Sequence, residues 1–193
     1  QAATYLIRED ASTFHTYYMD VVTGTPRYGN TQQGYADDSC WSRGQAWGIY
    51  GFLLSYIYTG DETMIALSKR LANYFLNRLP EDYVCHWDLA LVGTDALRDS
   101  SSAAIAVCGL LELVKHLPVT DPDREHYLAW AKGIMSSLTK HYLMGKDEKG
   151  NGLLKHSVYH LASNKGVDEC ASWGDYFYVE ALVRFTQSWK LYW

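Results

Sequence analysis

The alternation of apolar and polar positions divides most of the chain into helices of two kinds. Residues 40–58 are apolar on nearly every side of a helical wheel, and Gly60 supplies a stop just beyond them. Residues 61–78 differ. Met64, Leu67, Leu71, Phe75 and Leu79 make a single apolar stripe, with Lys69, Arg70 and Asn73 elsewhere on the surface. The pair then recurs. Residues 100–115 are again apolar around most of their circumference, and residues 123–143 again carry a stripe, in Tyr127, Ala131, Ile134, Leu138 and Tyr142. A third helix of the buried kind starts near Ser172 and runs past Phe185. Inner helices buried on all sides, each followed by an outer helix with one wet face, form the repeat of an all-α fold, the α/α toroid.

The three inner helices have matching preludes in Asp38-Ser39, Asp99-Ser100 and Ser172, read as N-caps. Their N-terminal ends should converge on one mouth, and several positive helix ends around one pocket favour an anionic ligand. Two stretches break the helical pattern. Residues 13–19 are rich in strand formers and residues 22–26 read as a turn, so a short hairpin or ordered loop precedes the first inner helix. A second hairpin is expected over residues 153–160, fed by a polar turn at 145–152. Residues 1–8 read as the tail of a helix already under way.

Candidate chemistry concentrates at the first inner helix, in Trp41-Ser42-Arg43-Gly44-Gln45-Ala46-Trp47. Arg43 and Trp47 are four apart and share a helix face near its N-terminus. A cation, flat aromatics and a helix N-terminus suit a small ligand bearing a carboxylate and a ring. The competing reading is aromatic core packing, with Arg43 paired to Asp37 or Asp38.

Composition narrows the classes. The 193 residues suffice for one domain with a sizeable core, and 48% are hydrophobic. A formal charge of −5 argues against a general nucleic-acid binder. No apolar run is long enough to span a bilayer, which points to a cytoplasmic protein without a membrane partner. Cys40, Cys85, Cys108 and Cys170 lack the close paired spacing of a zinc site, so reduced thiols and no metal are expected. The 7 Trp and 16 Tyr are a heavy aromatic load that can both fill a core and stack on sugars.

Residues 37–51, Asp-Asp-Ser-Cys-Trp-Ser-Arg-Gly-Gln-Ala-Trp-Gly-Ile-Tyr-Gly, resemble the signature of the unsaturated glucuronyl hydrolases (glycoside hydrolase family 88 type) of bacteria. The resemblance continues through Thr59-Gly60-Asp61, Tyr74-Phe75-Leu76, Leu79-Pro80-Glu81-Asp82, Trp87-Asp88, Arg98-Asp99-Ser100-Ser101 and Trp173-Gly174-Asp175-Tyr176-Phe177-Tyr178. It implies an (α/α)₆ barrel of which this chain supplies about half the ring, residues 1–193 forming one C-terminal part with the N-terminal half absent. That half would be met by a separate chain or replaced by self-association. The implied activity is glycosaminoglycan degradation: unsaturated uronic acid is released from lyase-generated disaccharides or oligosaccharides by hydration of the ring C4=C5 bond, without a cofactor. The acid–base aspartate of the family is expected in the missing half; Asp37, Asp38, Asp88, Asp99 and Asp175 are the carboxyls near the mouth here, with capping the better reading for Asp38 and Asp99. The substrate-binding positions implied are His15, Gln33, Trp41, Arg43, Trp47 and Ser172, with Ser172 also readable as an N-cap. Two further readings stay open: a catalytically incomplete half-barrel that binds sugar or complements another chain, and a helical protein-binding scaffold.

Overall fold

A computed structural model describes residues 1–191. One helical turn, α1 (Ala2–Tyr5), leads into the antiparallel hairpin β1 (Thr16–Met19) and β2 (Pro26–Asn30). The helices follow as α2 (Ser42–Thr59), α3 (Thr63–Leu76), α4 (Ser100–His116) and α5 (Asp123–Ser137). A second hairpin, β3 (Ser157–His160) with β4 (Lys165–Glu169), precedes α6 (Ser172–Thr186). The helices α2, α4 and α6 stand side by side in a row, with α3 packed outside α2 and α5 outside α4. This is the inner–outer alternation that the polarity pattern predicts.

Burial corrects one part of that pattern. Only α4 is buried all round, with Ile105, Leu110 and Leu113 wholly enclosed between its neighbours. Each such side chain contributes about 1.5–3 kcal/mol of burial. The helices α2 and α6 end the row, and each leaves one apolar face open: Trp47 and Tyr58 on α2, Tyr176, Val179 and Leu182 on α6. Toward the C-terminal ends of α4 and α6 a buried ionic cluster ties the three inner helices together. Arg184 on α6 pairs with Glu112 on α4 and, at 2.8 Å, with Glu180, which also accepts from the Tyr50 hydroxyl of α2 at 2.8 Å.

Other expectations shift locally. The fifth helix is not continuous to residue 143; its last turn widens to a π-helix over Leu138–Tyr142, where the Tyr142 hydroxyl reaches Asp82 at 2.6 Å. The hairpin expected over residues 153–160 is split. Leu154 bridges back to Leu143 around the polar turn, while β3 pairs forward with β4. Asp38 and Ser39 do not cap α2. Its N-cap is Trp41, and the first helical N–H, of Ser42, donates to the Trp87 carbonyl at 3.2 Å. Ser172 is likewise the first helical residue of α6, with Ala171 at the cap position and no side-chain cap. Asp99 caps α4 as expected.

Candidate functional site

The mouth lies at the N-terminal ends of the inner helices. The loop before α2 is pinned there by Asp88, wholly buried, whose carboxylate accepts from Ser39 Oγ at 2.6 Å and from the backbone of Tyr35 and Cys40. With its oxygens so engaged, Asp88 holds the loop rather than facing a ligand. The pinned loop sets Trp41, which packs against the His15 ring with centroids 4.4 Å apart. His15 accepts at Nδ1 from the backbone N–H of Gln32 at 2.9 Å and of Gln33 at 3.1 Å. Those two donors place the remaining ring proton on Nε2, which has no acceptor among the described residues. Burial first, then the charge of Arg43 and the neighbouring His160 ring, hold the imidazole pKa below its ordinary value. His15 is therefore a neutral donor at neutral pH.

Arg43 is not paired to Asp37 or Asp38. Its Nη1 meets Asp99 on α4 at 2.7 Å and the Val158 carbonyl at 2.8 Å; its Nη2 donates to the Tyr159 carbonyl at 2.9 Å. The guanidinium lies 4.5 Å from the Trp41 ring and 5.3 Å from that of Trp173, within cation–π range of both. Its side chain is 4% exposed. Burial lowers its pKa and Asp99 opposes that shift, so it stays charged. The Nε–H and one Nη2 proton have no acceptor among the described residues. Gln33 Nε2 donates to the same Tyr159 carbonyl at 2.6 Å, so the loop and α2 grip one point of the β3–β4 hairpin.

Two clefts flank this cluster. One, of about 400 Å³, is lined by Thr13, Phe14, His15, Trp41, Gly44 and Trp47 among others. The other, of about 440 Å³, is apolar and runs between α2 and α6 along Trp47, Leu54, Trp173 and Phe177. Trp47 borders both and is 39% exposed. Aromatic walls with one neutral donor suit the flat C–H face and hydroxyls of a sugar ring.

The structure thus brings His15, Gln33, Trp41, Arg43 and Trp47 together. Ser172 is exposed at the start of α6 and makes no hydrogen bond in the cluster; Trp173 beside it does, through Nε1 to Ser101 Oγ at 3.0 Å. Tyr159, stacked near Trp173 at 5.6 Å, is a further member that periodicity could not find, because it reaches the mouth through hairpin pairing. The helix-end argument for an anion also needs correction. At α4 the leading N–H groups are met by the His156 carbonyl and Asp99, and at α2 that of Ser42 is met by the Trp87 carbonyl. Among the described carboxyls with a resolved shift none moves upward; Glu112, Asp10 and Glu148 all move down. Asp37 accepts from Thr31 N at 3.0 Å and Asp175 from Leu154 N at 2.9 Å, both structural bonds. The described residues contain no cluster that could hold a metal, and no helix is long and apolar enough to cross a membrane. Cys40, Cys85 and Cys108 are buried free thiols as expected, whereas Cys170 is partly exposed.

No family model matches the chain. Among curated proteins it is 51% identical over 193 residues to the unsaturated chondroitin disaccharide hydrolase of Streptococcus pneumoniae, covering 100% of this chain and 49% of that protein. It is 40% identical over 190 residues to the unsaturated glucuronyl hydrolase of Bacillus sp. (strain GL1), covering 98% of this chain and 50% of that protein. Among solved structures, the unsaturated glucuronyl hydrolase of Streptococcus agalactiae superposes with a TM-score of 0.95 at 50% identity, covering 100% of this chain and 49% of that one. The chain spans about half the length of the curated relatives it matches. In sequence and in fold, this chain matches about half the length of members of the unsaturated glucuronyl hydrolase family.

Proposed function

We propose that this chain forms the sugar-binding wall of a hydrolase that removes unsaturated uronic acid from lyase-generated disaccharides and oligosaccharides. The observation that carries the reading is the His15–Trp41 pair: a neutral imidazole, its proton directed by two backbone donors, set against an indole at the edge of a cleft. Trp41 and Trp47 take the ring faces. His15 Nε2–H donates to a hydroxyl or ring substituent. Arg43 offers its two unused N–H groups to an oxygen of the sugar, and Gln33 fixes the rim from which Tyr159 projects. Ser172 has a peripheral role on this reading, at the opening of α6.

Hydration of C4=C5 adds a proton at C4 and a water-derived hydroxyl at C5. The hemiketal so formed opens and releases the neighbouring sugar. A carboxyl with a raised pKa must hold that proton. Asp88 and Asp99 are committed to structural bonds, so the acid is assigned to a polypeptide segment outside this chain. The same segment covers the open faces of α2 and α6 and completes the ring. This favours a sugar-binding half that needs its complement for turnover over an independently active chain, and over a protein-binding scaffold.

The conjugated double bond of an unsaturated uronate absorbs in the ultraviolet. The expected outcome is that the chain alone leaves this absorbance intact and that the chain combined with the N-terminal half of a relative abolishes it. Loss of absorbance with the chain alone would overturn the division of labour. No loss with either preparation, together with no measurable disaccharide binding, would overturn the carbohydrate reading.

A further inference from the structure

Asp99 does more than an N-cap requires. The cap itself needs only an acceptor for the N–H groups of Ser101 and Ser102, which Oδ1 meets at 3.1 and 3.4 Å. The wholly buried carboxylate also accepts from Ser101 Oγ at 2.5 Å, from Ser102 Oγ at 2.8 Å and from Arg43 Nη1 at 2.7 Å. Two of these bonds lead to aromatic walls. Ser101 has one hydroxyl proton, and donating it to Asp99 leaves the oxygen to accept Trp173 Nε1–H at 3.0 Å. Arg43, held in plane by Asp99 and the Val158 and Tyr159 carbonyls, lies against the Trp41 ring.

We propose that Asp99 is the positioning residue of the sugar site: one buried carboxylate on α4 sets Trp41 through Arg43 on α2, and Trp173 through Ser101 to α6. The inference rests on the carbohydrate reading above. It adds that the middle helix of the row, and not the Asp88-pinned loop alone, fixes the spacing of the indole walls. An asparagine at this position keeps an acceptor for the cap and for Ser101, but turns an N–H donor toward the donors of Arg43. It cuts one arm with almost no change of volume. Ser101→Ala cuts the other arm and keeps the Arg43–Asp99 pair, removing from Arg43 only its long 3.5 Å contact with Ser101 Oγ. Ser102→Ala removes a hydroxyl from the same carboxylate without cutting either arm.

The test is made on the intact protein, labelled with ¹⁵N, with the Trp173 indole resonance identified by Trp173→Phe. Affinity for an unsaturated uronyl disaccharide is measured by calorimetry, and helix content by circular dichroism. Ser101→Ala is expected to move the Trp173 indole resonance and increase its hydrogen exchange. Asp99→Asn and Ser101→Ala should each weaken disaccharide affinity at least tenfold with helix content unchanged. Ser102→Ala should change affinity less than threefold. An unmoved Trp173 resonance in Ser101→Ala overturns the proposal, as does a Ser102→Ala loss equal to the other two. If the unsubstituted protein takes no disaccharide, the carbohydrate reading fails, while the indole resonance still decides the wiring. If Asp99→Asn does not fold, Ser101→Ala carries the test.

Discussion

Replacing Arg43 by alanine should cost far more stability than removing a surface ligand-binding residue would. Arg43 is 4% exposed and Asp99 is 0% exposed. Truncation leaves an enclosed carboxylate without its counter-charge and removes the Arg43 donor from the Val158 and Tyr159 carbonyls, the latter keeping Gln33 Nε2. Breaking a buried pair on one side costs about 3–5 kcal/mol. Net stabilities of ordinary domains are only about 5–15 kcal/mol, so the loss is a large fraction of the total. Arg43→Lys separates charge from shape. A lysine restores the counter-charge but lacks the planar fork that reaches Asp99 and both carbonyls together. The two bonds it forgoes are worth about 1 kcal/mol each, so a loss of about 1–2 kcal/mol is expected. The assay is equilibrium unfolding in urea followed by circular dichroism, with free energies extrapolated to zero denaturant at constant slope. The expected order is alanine worst, lysine intermediate, arginine best. An Arg43→Ala protein within about 1 kcal/mol of the unsubstituted one would refute the reasoning. It would mean that the guanidinium is held in solvent for a ligand rather than locked between α2 and α4.

Other substitutions probe the rest of the account. Gly44→Ala places a Cβ 2.9 Å from Trp41 Cε3; the indole must move, so disaccharide affinity should fall severalfold, while the gain in helix propensity of about 1 kcal/mol offsets much of the strain. Unchanged affinity by calorimetry would show that the Trp41 position is not critical. For His15 the folded pKa lies below the ordinary 6.5, so the unfolded chain binds the proton first as pH falls. Its contribution is therefore present above about pH 6.5 and is lost below it. Thermal melts from pH 8 to pH 5 should show a steeper acid-side decline for the unsubstituted protein than for His15→Asn, which retains an acceptor near Nδ1 but does not titrate. Parallel declines would contradict the assignment. Arg184→Met removes the cation that Glu180 and Glu112 share and leaves Glu112 only its pairs with Lys115 and His116; a loss of about 3–5 kcal/mol in urea unfolding is expected, and a neutral result would remove the cluster from the list of ties between inner helices.

The helical row was legible from sequence because burial imposes a period. The stripe on α3 and the apolar circumference of α4 reappear as one-sided and all-round burial. What periodicity could not convey was position in the row. The helices α2, α4 and α6 look alike as sequences, yet only the middle one is enclosed, since the end helices lack a neighbour on one side. The caps failed for a related reason. Asp38 and Ser39 have the right chemistry but lie three and two residues before the cap position, and a tertiary contact, the Trp87 carbonyl, serves the first N–H of α2 instead. Trp41, Arg43 and Trp47 stand out from the residue pattern of the first inner helix, His15 and Gln33 only from the resemblance, and the fold brings the five together. Arg43's partner lies 56 positions away, beyond any local pattern. The resemblance implies Ser172, but the adjacent indole of Trp173 is the group that turns inward to Ser101.

The most direct test of the carbohydrate assignment is a crystal structure of the protein, with its ring completed by an N-terminal half, bound to an unsaturated uronyl disaccharide. The account predicts the unsaturated ring in van der Waals contact with the Trp41 indole, with His15 Nε2 within hydrogen-bond distance of a sugar oxygen. A disaccharide bound clear of Trp41 and His15 would contradict it.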